Sequence, residues 1–282
     1  MMRTALGSFW LLFAVAPSLL AFAGSARTVA SAVPVSPAPA SSSPAIRRTS
    51  PPSDVVIAAA ADLRFAMDSL IAVFSKTNPD IHIKVTYGSS GNFFQQIANG
   101  APFDIFFSAD IDYPRQLQQQ GKTLSDVHIY GTGQLVLWSK TIDPSIDGMN
   151  TLLNSAVKKI AIANPAHAPY GQRAEESLHY YGLAEKINDK LVMGENIAAT
   201  AQYALSGAAD VGIIALSLAL SPTMQDAGGK YWLIPASSHH PLQQGFALLP
   251  HAKDNSGAQQ FVSFFTSPAA ASILHTFGFG QP

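Results

Sequence analysis

The chain has 282 residues, no cysteine, a formal net charge of -1 and 48% apolar residues. That is enough chain for one large or two modest cores, and the charge balance gives no bulk attraction to nucleic acid. The absence of cysteine excludes disulfides, thiolate metal sites, cysteine nucleophiles and the lipid-acceptor thiol of an anchored exported protein.

Arg3 precedes an apolar run from Leu6 to Phe22 that passes into small residues, the order of a secretory signal peptide over residues 1–26. Pro17 interrupts the run, which falls short of the roughly 20 residues a comfortable bilayer span needs. Residues 27–53 are dominated by Pro, Ser, Ala, Thr and Val, a composition that cannot bury enough surface to offset the entropy of ordering it, and they read as a tether. An exported, periplasmic, unlipidated and monomeric protein is expected.

From Asp54 onward strand-like and helix-like patterns alternate, which predicts an α/β fold with largely parallel sheets. DVVIAAA is a short buried strand. Leu63, Ala66, Met67, Leu70, Ile71 and Phe74 then recur at helical spacing, with Asp62 as the N-cap and Asn78-Pro79 as the stop. IHIKVTY alternates Ile81, Ile83, Val85 and Tyr87 with polar partners and is a strand. Gly88 to Gly91 form a turn before a helix closing at Gly100. FDIFFSAD is a third strand, followed by a helix around Tyr113 to Gln120. A second αβ half follows: QLVLWSK, KKIAIANP, a helix from about 172 to 181, KLVMGEN, a helix from about 198 to 206, and DVGIIALSLAL. YWLIP and QGFALLP are later strands, and FVSFFTSPAAASILHTFG supplies closing helices.

Four strand-to-helix junctions carry small, hydroxyl or uncharged residues: Ala60-Ala61-Asp62, Ser89-Ser90-Gly91, Pro169-Tyr170-Gly171 and Glu195-Asn196-Ile197. A helix start carries about half a positive charge and up to four free N–H donors, so several of them converging between two lobes would hold a compact anion without Lys or Arg. Ordinary helix capping accounts for each junction taken singly. Ser90 on a strand-to-helix turn also suggests a serine hydrolase, but Gly88-Ser89-Ser90-Gly91-Asn92 breaks the G-x-S-x-G pattern. Gly121-Lys122-Thr123 lacks the earlier glycine of a phosphate loop, Gln116 standing there. His239-His240 has no nearby ligand to complete a metal site. His167 is expected to shape the loop before Pro169.

Residues 54–282 resemble the periplasmic molybdate-binding proteins of ABC importers. The likeness runs through VIAAAADL, GSSGNFFQQIANGAPFDIFFSAD, GQLVLWS, IAIANPAHAPYG, GENIAATAQYALSGAADVGIIALSLAL and FTSPAAASILHTFGF. It implies a two-lobed class II periplasmic binding fold, lobe 1 over residues 54–134 plus 246–282 and lobe 2 over 135–245, with crossings near 133–137 and 243–246. It also implies no catalysis and no cofactor, a molybdate or tungstate ligand, and an ABC permease and its ATPase as partners.

The ligand shell the resemblance implies is Ala61 and Asp62 in the first loop, Ser90 through hydroxyl and N–H, and Tyr170 and Ile197 through backbone N–H. Two departures stand out. Asp62 falls where many relatives carry Ser, Thr or Asn, and an ionised carboxylate only accepts hydrogen bonds. It is expected to turn away and cap its own helix; the rival is that it accepts a proton from a protonated oxyanion such as phosphate. Ala215 stands where some relatives offer a tyrosine hydroxyl, and backbone groups or Ser89 are expected to complete the shell. Sulfate or phosphate is the alternative ligand, because sulfate shares molybdate's charge and tetrahedral shape.

Overall fold

The computed structural model describes residues 53–281. The expected signal peptide, and the tether apart from Ser53, lie outside them. No helix among the described residues is long and apolar enough to cross a membrane.

The first half opens with β1 (Ser53–Ala60), a one-turn 3-10 segment (Ala61–Leu63) and α1 (Arg64–Thr77). It continues with β2 (Ile81–Gly88), α2 (Ser90–Ala98), β3 (Ile105–Ser108), α3 (Asp112–Gln119) and β4 (His128–Gly133). Alternation places Ile81, Ile83 and Val85 of β2 against the core, while β1 is apolar almost throughout because both its faces are covered. On α1 the buried residues are Ala66, Met67, Leu70 and Phe74, one helical stripe.

The second half contains β5 (Leu135–Ser139), a 3-10 segment (Gly148–Leu153), β6 (Ile160–Ala163), α4 (Pro169–Tyr180), α5 (Ala184–Ile187), β7 (Leu191–Gly194) and α6 (Ile197–Ser206). It ends with β8 (Val211–Ala215), α7 (Leu216–Ala219), α8 (Pro222–Asp226) and β9 (Lys230–Leu233). The chain then returns as β10 (Leu242–Leu248), α9 (Ser256–Phe265) and α10 (Pro268–Thr276).

Two five-stranded sheets result, in the orders β2-β1-β3-β10-β4 and β7-β6-β8-β5-β9. Each has parallel pairs along one side, β1 with β2 and β3 in one and β6 with β7 and β8 in the other. Each also holds one antiparallel strand: β10, which returns from the far end of the chain, and β5, which opens the second run. The first core is aromatic: Phe107 and Phe265 have ring centroids 4.5 Å apart, and Phe74 meets Phe261 edge-on at 5.2 Å. The second is mainly aliphatic, built on Leu135, Leu137, Ile160, Ile162, Val211 and Ile213 around Trp138. Burying each such side chain contributes about 1.5–3 kcal/mol.

The chain passes between the sheets first at Gln134. The return comes earlier than the expected 243–246, because β10 already pairs at Leu242 with Gly133. Residues 242–245 therefore belong to the first sheet. Two helix starts also differ from expectation. Ser89 is the extended N-cap of α2, so Gly91 lies inside the helix rather than in a turn. Pro169, whose fixed φ suits a first helical turn, starts α4 three residues before the expected Gln172, which brings Tyr170 into that turn.

Candidate functional site

The parallel strands β1 and β2 of one lobe and β6 and β7 of the other end at a common cavity. It is lined by Ala60, Ala61 and Asp62, by Gly88, Ser89, Ser90 and Ala109, and from the second lobe by Ala168, Pro169, Tyr170, Asn196 and Ile197. All six residues singled out in the sequence are there, and no lysine, arginine or histidine is among the lining residues. The cavity leaves about 10 Å³ for the centre of a water-sized sphere, the room of one compact group.

Capping decides which donors remain for an occupant. In α6 the Asn196 side chain accepts from the N–H groups of Ala198 and Ala199, each at 3.0 Å, and the Asn196 carbonyl takes Thr200. The N–H of Ile197, in the first turn, has no intrahelical carbonyl to reach. In α4 the Ala168 carbonyl takes Gly171 and Gln172, and Pro169 has no N–H, which leaves Tyr170. In α2 the N–H of Gly91 goes to the His167 carbonyl at 2.9 Å and that of Phe93 to Ser89, with Ser90 at the first position. Ala61 and Asp62 hold the same place at the 3-10 start after β1. Neutral donors at four helix starts, two from each lobe, thus surround a space without cationic side chains.

The serines divide their tasks. The Ser90 hydroxyl accepts from the Ala109 N–H at 3.0 Å, and no partner for its own hydrogen is found among the described residues. Ser89 lines the cavity, but its hydroxyl is given across the cleft to the His167 carbonyl, with His167 Nδ1 3.0 Å from Ser89 Oγ. Gly91 allows this closeness, since a Cβ there would lie 2.6 Å from the His167 carbonyl oxygen. Nor does Ala215, buried at the end of β8, supply a donor side chain. The geometry gives the hydrolase reading little: histidine contacts Ser89, not Ser90, and the Ser89 hydrogen is committed to a carbonyl.

Asp62 departs most from expectation. It does not cap its own helix, since neither the 3-10 start nor α1 has a side-chain cap. Two directed donors hold it instead: the Tyr170 hydroxyl at 2.9 Å and the Gln244 amide at 2.7 Å, both on Oδ2. Gln244 also bonds the Tyr170 hydroxyl at 3.1 Å and accepts from Tyr130 at 2.5 Å, and the Ser217 hydroxyl donates to the Asp62 carbonyl at 2.8 Å. Burial pushes the Asp62 carboxyl up to about 6, the donors of Gln244 and Tyr170 pulling it back only in part. Burial, and then the Asp62 charge, push the Tyr170 and Tyr130 hydroxyls well above their ordinary range, which keeps both neutral donors.

Sequence reasoning did not single out Gln244, Tyr130 or Ala109, nor the pair of Arg173 and Asp110, 3.0 Å apart across the cleft. A polar residue inside the apolar run LQQGFALL was the available sign for Gln244. Among the described residues no group of three His, Cys, Asp or Glu is placed to hold a metal ion. His240 instead pairs with Glu176 at 3.1 Å.

Residues 55–280 match the family model of the bacterial extracellular solute-binding proteins. The molybdate-binding protein ModA of Azotobacter vinelandii is 34% identical over 229 residues, 81% of this chain and 90% of the relative. The ModA of Rhodobacter capsulatus is 31% identical over 228 residues, 80% of this chain and 88% of that one. The solved Azotobacter vinelandii periplasmic molybdate-binding protein superposes with a TM-score of 0.74 at 30% identity, over 81% of this chain and 99% of that one. The sulfate-binding protein SubI of Mycobacterium tuberculosis, at 14% identity, a TM-score of 0.66 and coverage of 81% and 87%, shares the fold alone. The architecture is the two-lobed periplasmic binding protein fold, and the chain belongs to the bacterial extracellular solute-binding protein family, on its ModA branch.

Proposed function

We propose that this protein captures molybdate, and tungstate with it, in the periplasm and delivers the anion to an ABC permease and its ATPase. The observation that carries the reading is the cavity wall: helix-start N–H groups of Ala61, Ser90, Tyr170 and Ile197 and the free Ser90 hydroxyl around a space for one compact group. Hydrogen bonds to a charged group contribute about 1.5–3 kcal/mol each. Five to seven of them offset dianion desolvation and leave affinity near the roughly 12 kcal/mol of a nanomolar complex. The anion rests first on Ala61 and Ser90, and closure then brings Tyr170 and Ile197 against it, a rigid-body domain motion. Release follows when the permease favours the open form. None of this requires a reaction.

One observation favours a second reading. The Asp62 carboxyl in the wall would accept a hydrogen bond from an anion that keeps its own proton, such as hydrogen phosphate. Thermal unfolding with molybdate, tungstate, sulfate and phosphate in parallel separates the readings. A ligand about a thousandfold above its dissociation constant stabilises by about 4 kcal/mol. The first two anions are expected to raise the midpoint; a flat response to them with a shift from phosphate, lost in Asp62→Asn, would replace the first reading by the second.

A further inference from the structure

Asp62 places a carboxyl group in the wall of a cavity otherwise suited to anions. It is 1% exposed. Its Oδ2 receives both the Tyr170 hydroxyl and the Gln244 amide, which fixes the plane of the group. Its Oδ1 is buried and has no well-aligned hydrogen-bond partner among the described residues, the N–H groups of Asp62 and Leu63 acting on the carboxyl only from poorer geometry. Ionised, a carboxylate oxygen in this wall has only repulsion to offer a dianion. With a hydrogen on it, the same atom becomes one more donor, and the wall becomes neutral.

Resting on the reading of the cavity as a site for a tetrahedral dianion, we propose that each captured anion brings one proton, held on Asp62 Oδ1 and donated to an anion oxygen. Asp62 then determines specificity for fully deprotonated oxyanions. The proton comes from solvent, one O–H bond forms on Asp62, and no other bond changes. Asp62 contributes this hydrogen bond to an oxygen of the anion and is not a ligand of the metal atom.

The surroundings fit. Tyr170 on α4 and Tyr130 on β4 are the titratable groups facing the carboxyl, and both stay neutral. Gln244 on β10 and Ser217 on α7 do not titrate. Among the described residues no lysine, arginine or histidine acts on the carboxyl to hold it ionised. Burial already sets it at about 6, against the pull of Gln244, Tyr170 and the N–H groups of Asp62 and Leu63. A doubly negative neighbour carries it higher still. Above neutral pH the empty protein is ionised here and the loaded protein is not.

The test is calorimetric titration with sodium molybdate, near pH 7.5, in buffers of different ionisation enthalpy, which counts protons taken up per anion. The wild-type count is expected close to one, with affinity weakening about tenfold per pH unit above about 6. Asp62→Asn is expected to take up none and to keep a flat affinity over that range. Molybdate binding by the wild type without proton uptake overturns the proposal and leaves the functional reading in place. Absence of heat from molybdate and tungstate at every pH removes both. The wild-type count decides alone should the variant fail to fold.

Discussion

Two of the spaces that the described residues enclose between the lobes are built from opposite chemistry. The cavity has backbone donors, hydroxyls and alanines, with room for one compact group. The groove beside it is an open space of about 580 Å³ lined by Asp110, Asp112, Arg115, Arg173, Glu176 and His240. Fixed dipoles suit the first because they point inward without having to be neutralised when the cavity empties. A lysine there would have to be desolvated in both states, at a cost of several kcal/mol. The groove, being wet, tolerates charge, and uses it to join the lobes through Arg173, whose NH2 group meets Asp110 and whose NH1 group meets Glu176 at 2.8 Å.

The comparison breaks most visibly at Asp62, the carboxyl on the wrong side of this division. Because its folded value is raised, the stability it confers is present below the ordinary carboxylate range and is lost as pH rises through about 6. That loss is on the order of 3 kcal/mol, and urea unfolding of the wild type against Asp62→Asn from about pH 4 to pH 7 should show the difference growing in the variant's favour. Parallel curves would mean that the carboxylate is better solvated than its burial indicates.

Gly91→Ala tests closure without touching either core. Its Cβ would meet the His167 carbonyl, so the cavity cannot shut fully. Molybdate affinity should fall by about 2 kcal/mol, roughly thirtyfold, with little change in the urea midpoint of the empty protein. In the groove, a double-mutant cycle over Arg173→Met and Asp110→Asn should return a coupling of about 1 kcal/mol in molybdate affinity. His240→Ala should change affinity by less than ~0.5 kcal/mol, because the His240 side chain is largely exposed and its backbone N–H keeps the bond to Glu176. An effect larger than that of the Arg173 cycle would reverse the ranking within the groove.

Local pattern was enough for much of the architecture. The alternation of Ile81, Ile83 and Val85 and the stripe on α1 reflect burial that each segment carries in its own order of residues. β4 was not legible: Gly131 and Gly133 interrupt its pattern, and it exists because β10 pairs with it from more than a hundred residues away. The four junctions could be named because strand ends and helix starts are local features, and the resemblance then implied which of their residues form the shell. The bearing of Asp62 could not, since its partners Tyr170 and Gln244 stand 108 and 182 positions further along the chain. Read alone, an aspartate before a helix is a cap. Two donors placed by the fold outweigh that preference.

Gln134 is all that separates β4 from β5, and its side chain grips the Gly278 carbonyl at 2.9 Å. One residue spans about 3.8 Å between Cα atoms, so this link has no slack, and the halves can neither slide nor draw apart along it. A swing about it as a pivot is the motion such a link leaves open, and on the proposed reading the anion's gate would then travel by leverage rather than by stretch.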